Sequence, residues 1–186
     1  MNYLFKICIV GLTFFLSLNA PLMAETKPLR IKITQGVIKP MPIALAQFSA
    51  LGDSSPAYVD QITSVIMADL VGSGLFREIP KSAHVSANTD FNMPVKFADW
   101  RVINADALIT GSVNIQGDKL ILQFRLFDVF AQKPLGEGLQ FQASTGNWRR
   151  MAHKISDAVY SRLTGETAYF DSKVVYISEQ GPKNAR

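Results

Sequence analysis

Two extended, apolar-rich segments, Ala107 to Val113 and Lys119 to Asp128, lie either side of Gly117-Asp118. A turn pair between two such runs specifies an antiparallel hairpin, and no other feature restricts the fold as much. Leu120, Leu122, Phe124 and Leu126 alternate along the second strand, so one sheet face is apolar and has to be covered. The cover is supplied further on. After Pro134 and Gly136 a third strand, with Leu139 and Phe141, continues the meander to Ala143. Asn147 then caps a long helix whose stripe is Met151, Ile155, Ala158, Val159 and Leu163, and Gly165 stops it.

Upstream, Ile43-Ala44-Leu45-Ala46-Gln47-Phe48 is short and almost continuously apolar, which suits a central strand buried on both faces. Ser54-Ser55-Pro56 places a capping hydroxyl before a proline at the first helical position. Tyr58, Ile62, Val65, Ile66 and Leu70 follow at helical spacing until Gly72 and Gly74 end that helix. Leu75 to Ile79 is a short extended piece, Pro80 to Pro94 a polar loop, and Val95 to Ile103 a second short helix. Lys173 to Ser178 reads as one further strand. The expected class is α/β, a mixed β-sheet packed by two or three helices.

The first 24 residues are of a different kind. Lys6 precedes a twelve-residue apolar run from Ile7 to Leu18, too short for a spanning helix of roughly 20 residues, and Ala24 precedes the first acidic residue, Glu25. This is a secretory signal peptide, with cleavage expected between Ala24 and Glu25; Ala20 is the second choice and an uncleaved anchor the competing reading. The single cysteine, Cys8, lies inside the apolar run, without the small-residue tetrad that precedes a lipidated cysteine. The processed chain then has no disulfide, no thiolate metal site and no cysteine nucleophile, and its core alone must hold it.

Chemistry is correspondingly sparse. With 19 Lys+Arg against 15 Asp+Glu the net charge is only +4, and the cations are scattered apart from Arg149-Arg150, which gives no support to nucleic-acid binding. His84 and His153 have no partners at metal-ligand spacings, and Asp60, Asp69, Asp99, Asp106, Asp118 and Asp128 form no close acidic cluster for a calcium loop. His153 and Asp157, at i and i+4, are expected to form a helix-surface pair. Gly72-Ser73-Gly74 has neither the lysine of a phosphate loop nor the Gly-x-Ser-x-Gly of a nucleophile elbow. Trp148-Arg149-Arg150 sets two cations at a helix start, where positive charge is unfavourable. Either Trp148 packs under the sheet while one arginine pairs a carboxylate, or the trio meets a partner. No enzyme, cofactor, metal or small-molecule substrate is expected.

A set of segments in fixed order resembles the amino-terminal domain of the TolB family. It comprises Arg30-Ile31-Lys32-Ile33 with Gly36-Val37, Pro42-Ile43-Ala44 with Phe48, Ile66-Met67-Ala68-Asp69-Leu70 with Ser73-Gly74-Leu75-Phe76-Arg77, and Trp100 with Ala105 to Gly111. Leu126-Phe127-Asp128-Val129, the long run Trp148 to Asp157, and Leu163-Thr164-Gly165-Glu166 complete it. The resemblance implies the α/β sandwich of that domain and a periplasmic, non-enzymatic interaction module of the Tol-Pal system, serving outer-membrane integrity and envelope constriction at division. It also implies a six-bladed propeller after this domain, of which residues 167–186 look like the linker and first strand, so that a fragment or truncated product is expected.

Four parts follow: signal peptide 1–24, partner-binding segment 25–38, α/β domain 39–166, and the residual 167–186. In the family the freshly cut N-terminus pairs with the TolA C-terminal domain, and the propeller holds most of the site for Pal. Carried to this chain, the TolA contact falls on Glu25, Arg30, Ile31, Lys32, Ile33, Thr34 and Gln35. The residues themselves agree, since 30–35 alternate as an edge strand does and can add to a foreign sheet. The same strand can instead complete this domain's own sheet. An outer-membrane-associated regulator of peptidoglycan synthesis or secretion shares the Ile43-Ala44…Phe48 strand, but the missing lipidated cysteine counts against it. An exported hydrolase would need a catalytic constellation that is not found.

Overall fold

The computed structural model describes residues 39–54, 56–85, 91–173 and 175–177. The signal peptide and the partner-binding segment 25–38 lie outside the described residues. The elements are β1 (Met41–Leu45), β2 (Ser49–Gly52), α1 (Pro56–Gly72), β3 (Phe76–Glu78), α2 (Phe97–Val102), β4 (Ala107–Gln116), β5 (Lys119–Asp128), β6 (Lys133–Pro134), β7 (Leu139–Ser144) and α3 (Trp148–Thr164). Among the described residues seven strands form one mixed sheet, the class the patterning predicts. Its backbone order is β3-β1-β4-β5-β6, with β2 beside β4 and β7 beside β5.

The expected hairpin is the spine of that sheet. β4 and β5 pair antiparallel over ten residues each, from Ala107↔Asp128 to Gln116↔Lys119. Gly117 alone of the two turn residues has a positive φ, +60°, the pattern of a type II′ turn whose twist matches the strands. β1 and β2 both run parallel to β4, β1 along Ala107–Ile109 and β2 along Ser112–Ile115. Leu45 faces Ile109 and Ser49 faces Ser112, so the β1–β2 row carries one residue more than β4 between these pairs. The chain bulges there. Gly111 lies under the bulge, where a Cβ would come within 2.4 Å of the Phe48 ring, so only glycine admits that ring.

Alternation divides the core between two faces. Ile43 and Leu45 of β1, with Leu120, Leu122, Phe124 and Leu126 of β5, meet Ile62, Ile66 and Leu70 of α1 and Met151, Ile155, Val159 and Leu163 of α3. Ala44 and Ala46 face the other way, onto Trp100 of α2, Leu108, Phe127 and Val129. With both faces covered, β1 is apolar throughout. Burying each large aliphatic side chain contributes about 1.5–3 kcal/mol, so the apolar faces of β5, α1 and α3 together carry a large share of the stabilisation.

Helix ends depart from expectation in detail. Pro56 opens α1 as expected; Ser55, which precedes it, lies outside the described residues, and the Ser54 hydroxyl donates to the Val113 carbonyl, 3.0 Å away, tying the helix start to β4. Asn147 precedes α3 without capping it: its backbone, at φ −95° and ψ 14°, is not in the extended region of a capping residue, and its amide donates to the Ser144 hydroxyl at 2.9 Å. A short 3-10 turn, Thr145–Asn147, enters the helix instead, and it is anchored by Thr145 Oγ1 on the Asp118 carboxylate at 2.7 Å. Gly165, at φ +79°, ends α3 as expected. The strand expected over 173–178 is not formed among the described residues: Val175, Tyr176 and Ile177 are unpaired and 93%, 81% and 90% exposed. A strand with an apolar face needs a neighbour, and no strand of the described domain reaches these residues.

Candidate partner-binding surface

The residues assigned to partner binding, Glu25 and 30–35, and the cleavage pair Ala24 and Glu25, lie outside the described residues. What the structure defines is the frame they join. The chain enters the sheet at Met41 in β1, which has β3 on one side, at Met41↔Phe76, and β4 on the other, at Ile43↔Ala107. Both flanks of β1 are taken. Free edges among the described residues are β2, the three-residue β3, and the β6–β7 side, whose β7 alternates half-buried and exposed.

Two clefts open beside α1. One, about 290 Å³, is lined by Leu45, Thr63, Met67, Val71, Glu78 and Lys81. At its rim Lys81 Nζ donates to Asp60 Oδ1 at 2.9 Å, and that bond is the main reason the Asp60 carboxyl is held below its ordinary value. A wider groove of about 590 Å³ runs between α1 and α3 over Ala57, Gln61, Val65, Trp148 and Arg149. Here Trp148 packs against Tyr58, with centroids 6.1 Å apart, and the Arg149 guanidinium covers its ring at 4.8 Å. Arg150 pairs Asp171 at 3.0 Å. An arginine does pair a carboxylate, as one of the two readings required, but the tryptophan packs against α1 rather than under the sheet.

The expected His153–Asp157 pair is not formed. His153 Nδ1 instead meets Asp69 Oδ2 of α1 at 2.7 Å, and both side chains are largely buried. The reason is rotational: helix neighbours at i and i+4 compete with groups on a packed second helix, and α1 crosses α3 on the histidine's side. Asp157 accepts two backbone amides instead, from Phe170 at 2.8 Å and Asp171 at 3.2 Å. A carboxylate on Nδ1 orients an imidazole as in a catalytic triad, yet among the described residues no hydroxyl is bonded to the other ring nitrogen of His153. The arrangement is an interhelical tie. At the sheet end, burial first and the neighbouring Asp128 second push the Asp106 carboxyl upward, while Asp128 accepts the Ala131 amide at 2.7 Å. Gly72-Ser73-Gly74 ends α1, with the Ser73 hydroxyl donating to the Leu70 carbonyl at 2.6 Å.

A family model described as the TolB amino-terminal domain matches residues 29–135. Tol-Pal system protein TolB of Cereibacter sphaeroides is 54% identical over 177 residues, which is 95% of this chain and 40% of that protein. The protein of the same name from Dinoroseobacter shibae is 55% identical over 179 residues, again 95% of this chain and 40% of its own length. The chain belongs to the TolB family. Its fold agrees with the crystal structure of TolB from Acinetobacter baumannii, with a TM-score of 0.59 at 25% identity over 72% of this chain and 30% of that one. The chain thus spans about two fifths of the TolB relatives it matches. Neither the Asp69–His153 tie nor the amides on Asp157 has a sequence signal, since the partners are 84 and 13 residues apart.

Proposed function

We propose that this chain is a periplasmic, non-enzymatic interaction module of the Tol-Pal system, whose residues 25–38 recruit the TolA C-terminal domain by β-addition. The observation that carries the reading is the 54% identity to a Tol-Pal system protein TolB over 95% of the chain. Sheet topology supports it. Since both sides of β1 are occupied, a strand preceding it cannot pair with β1 as a hairpin, so Arg30, Ile31, Lys32, Ile33, Thr34 and Gln35 add to a free edge, which in this reading is that of TolA and not β2, β3 or β7 of the domain itself. Backbone hydrogen bonds then give the affinity, with Ile31 and Ile33 filling alternate pockets. Among the described residues no helix is long and apolar enough to cross a membrane. Export with cleavage after Ala24 places the module in the periplasm, where it contributes to outer-membrane integrity and envelope constriction; Pal contacts belong in this reading to a propeller that follows the α/β domain.

Deletion of residues 25–35 tests the reading. The circular dichroism and melting of the domain are expected to stay unchanged while capture by the TolA C-terminal domain is lost. Unfolding of the deletion variant, or capture that survives it, sinks the proposal.

A further inference from the structure

The composition Gly165-Glu166-Thr167-Ala168 after α3 is that of a free linker, yet the chain folds back. The Gly165 backbone, at φ +79°, turns it. Tyr169 and Phe170 then lay their rings against Tyr160, with centroids 5.8 and 5.7 Å away. One residue on, the two carboxylate oxygens of Asp157 take the Phe170 and Asp171 amides, and the Asp171 side chain meets Arg150 Nε at 3.0 Å. The contacted helix positions step from 160 to 157 to 150, so the chain returns along α3; residues 169–172 close a turn there, the Ser172 amide donating to the Tyr169 carbonyl at 3.3 Å, and the long Arg150 side chain reaches across to Asp171. Phe170 is partly buried against the main core.

We infer that Asp157 is the latch of a strap: residues 169–171 are fastened along α3, and whatever follows residue 173 leaves the domain in one fixed direction instead of from a swivelling linker. An ionised acceptor for two backbone amides makes short, charge-assisted bonds that neither amide finds elsewhere in the described structure. Arg150–Asp171 is a weaker outer fastening, because the arginine is half exposed and such pairs are worth little in water. The strap ends just before Val175, Tyr176 and Ile177, the most exposed run of large apolar side chains described. Three such residues in a row require cover, and a strap that fixes their point of departure presents them in one orientation. This inference is independent of which partner residues 25–38 bind.

Amide exchange and 15N relaxation on the 186-residue chain test it. In the wild type the Phe170 and Asp171 amides are expected to be protected and as rigid as α3. Asp157→Ala should speed their exchange about tenfold or more, the difference between a bonded and an open loop amide, while Ile155 and Val159 of α3 keep their rates. Arg150→Ala should leave the Phe170 amide unchanged. Asp157→Asn, which keeps one acceptor oxygen, should release only one of the two amides and serves if the alanine variant does not fold. Coil-like exchange at 170 and 171 in the wild type, no response to either Asp157 substitution, or an equal acceleration throughout α3 overturns the strap.

Discussion

His84 shows how much one side chain in the polar 80–94 loop contributes. Its ring stands edge-on to the buried Trp100, with centroids 5.0 Å apart, and Nε2 lies 3.1 Å from the Ile79 carbonyl oxygen. Only a protonated Nε2 can donate there, so the neutral ring already makes this bond. Burial is the largest influence and lowers the pKa below its ordinary 6.5, although the Ile79 bond and the Glu78 charge oppose it. A lowered folded pKa gives a stabilisation that is complete above 6.5 and is lost as pH falls through the folded value. The melting temperature is therefore expected to fall between pH 7.5 and 5 in the wild type and to fall less in His84→Gln; parallel pH profiles would contradict this. The sequence marks none of it, because a histidine in a polar loop gives no sign that it leans on a tryptophan sixteen residues away. Gly111 is similar: a glycine inside a strand signals a close approach, but not that Phe48 is what approaches.

At the scale of elements, short-range chemistry was readable and long-range pairing was not. The hairpin, both long helices and the Gly165 stop follow from local periodicity and turn residues, and Met151, Ile155, Val159 and Leu163 are buried as the α3 stripe requires. Strand β2 has no signal of its own, because its four residues, Ser-Ala-Leu-Gly, form an edge that only β4 creates. Candidate-site residues 30–35 are legible as an alternating strand, but alternation does not say whose sheet receives it. Ile155→Ala is expected to cost about 2–5 kcal/mol, the usual penalty for truncating a fully buried aliphatic chain. His153→Ala, on the same helix, should cost about 0.5–1.5 kcal/mol through the lost Asp69 bond. Combined with Asp69→Ala in a denaturation cycle, it should show non-additivity; additive losses would mean the tie contributes nothing.

For the whole molecule, the strap divides the C-terminal region into a part that belongs to the domain and a part that does not. Ending the chain after residue 173 should leave stability within about 0.5 kcal/mol, because the removed side chains that are described are solvent-exposed. Ending it after 166 removes the partly buried Phe170 and leaves Asp157 without its amides, and should cost about 1–3 kcal/mol; equal melting of the two would refute the division. The placement of β1 has a further consequence, for the time before the domain is complete. Its neighbours are β3, some 35 residues downstream, and β4, whose Ala107 faces Ile43 from 64 residues away. A chain emerging from its N-terminus therefore carries this wholly apolar strand unpaired until β3 has followed, and with one flank bare until β4 has. The β4–β5 hairpin, whose contacts are local, forms without waiting. Closure around β1 waits for β4 from the middle of the chain, and until then the first strand made is the one most in need of a holdase.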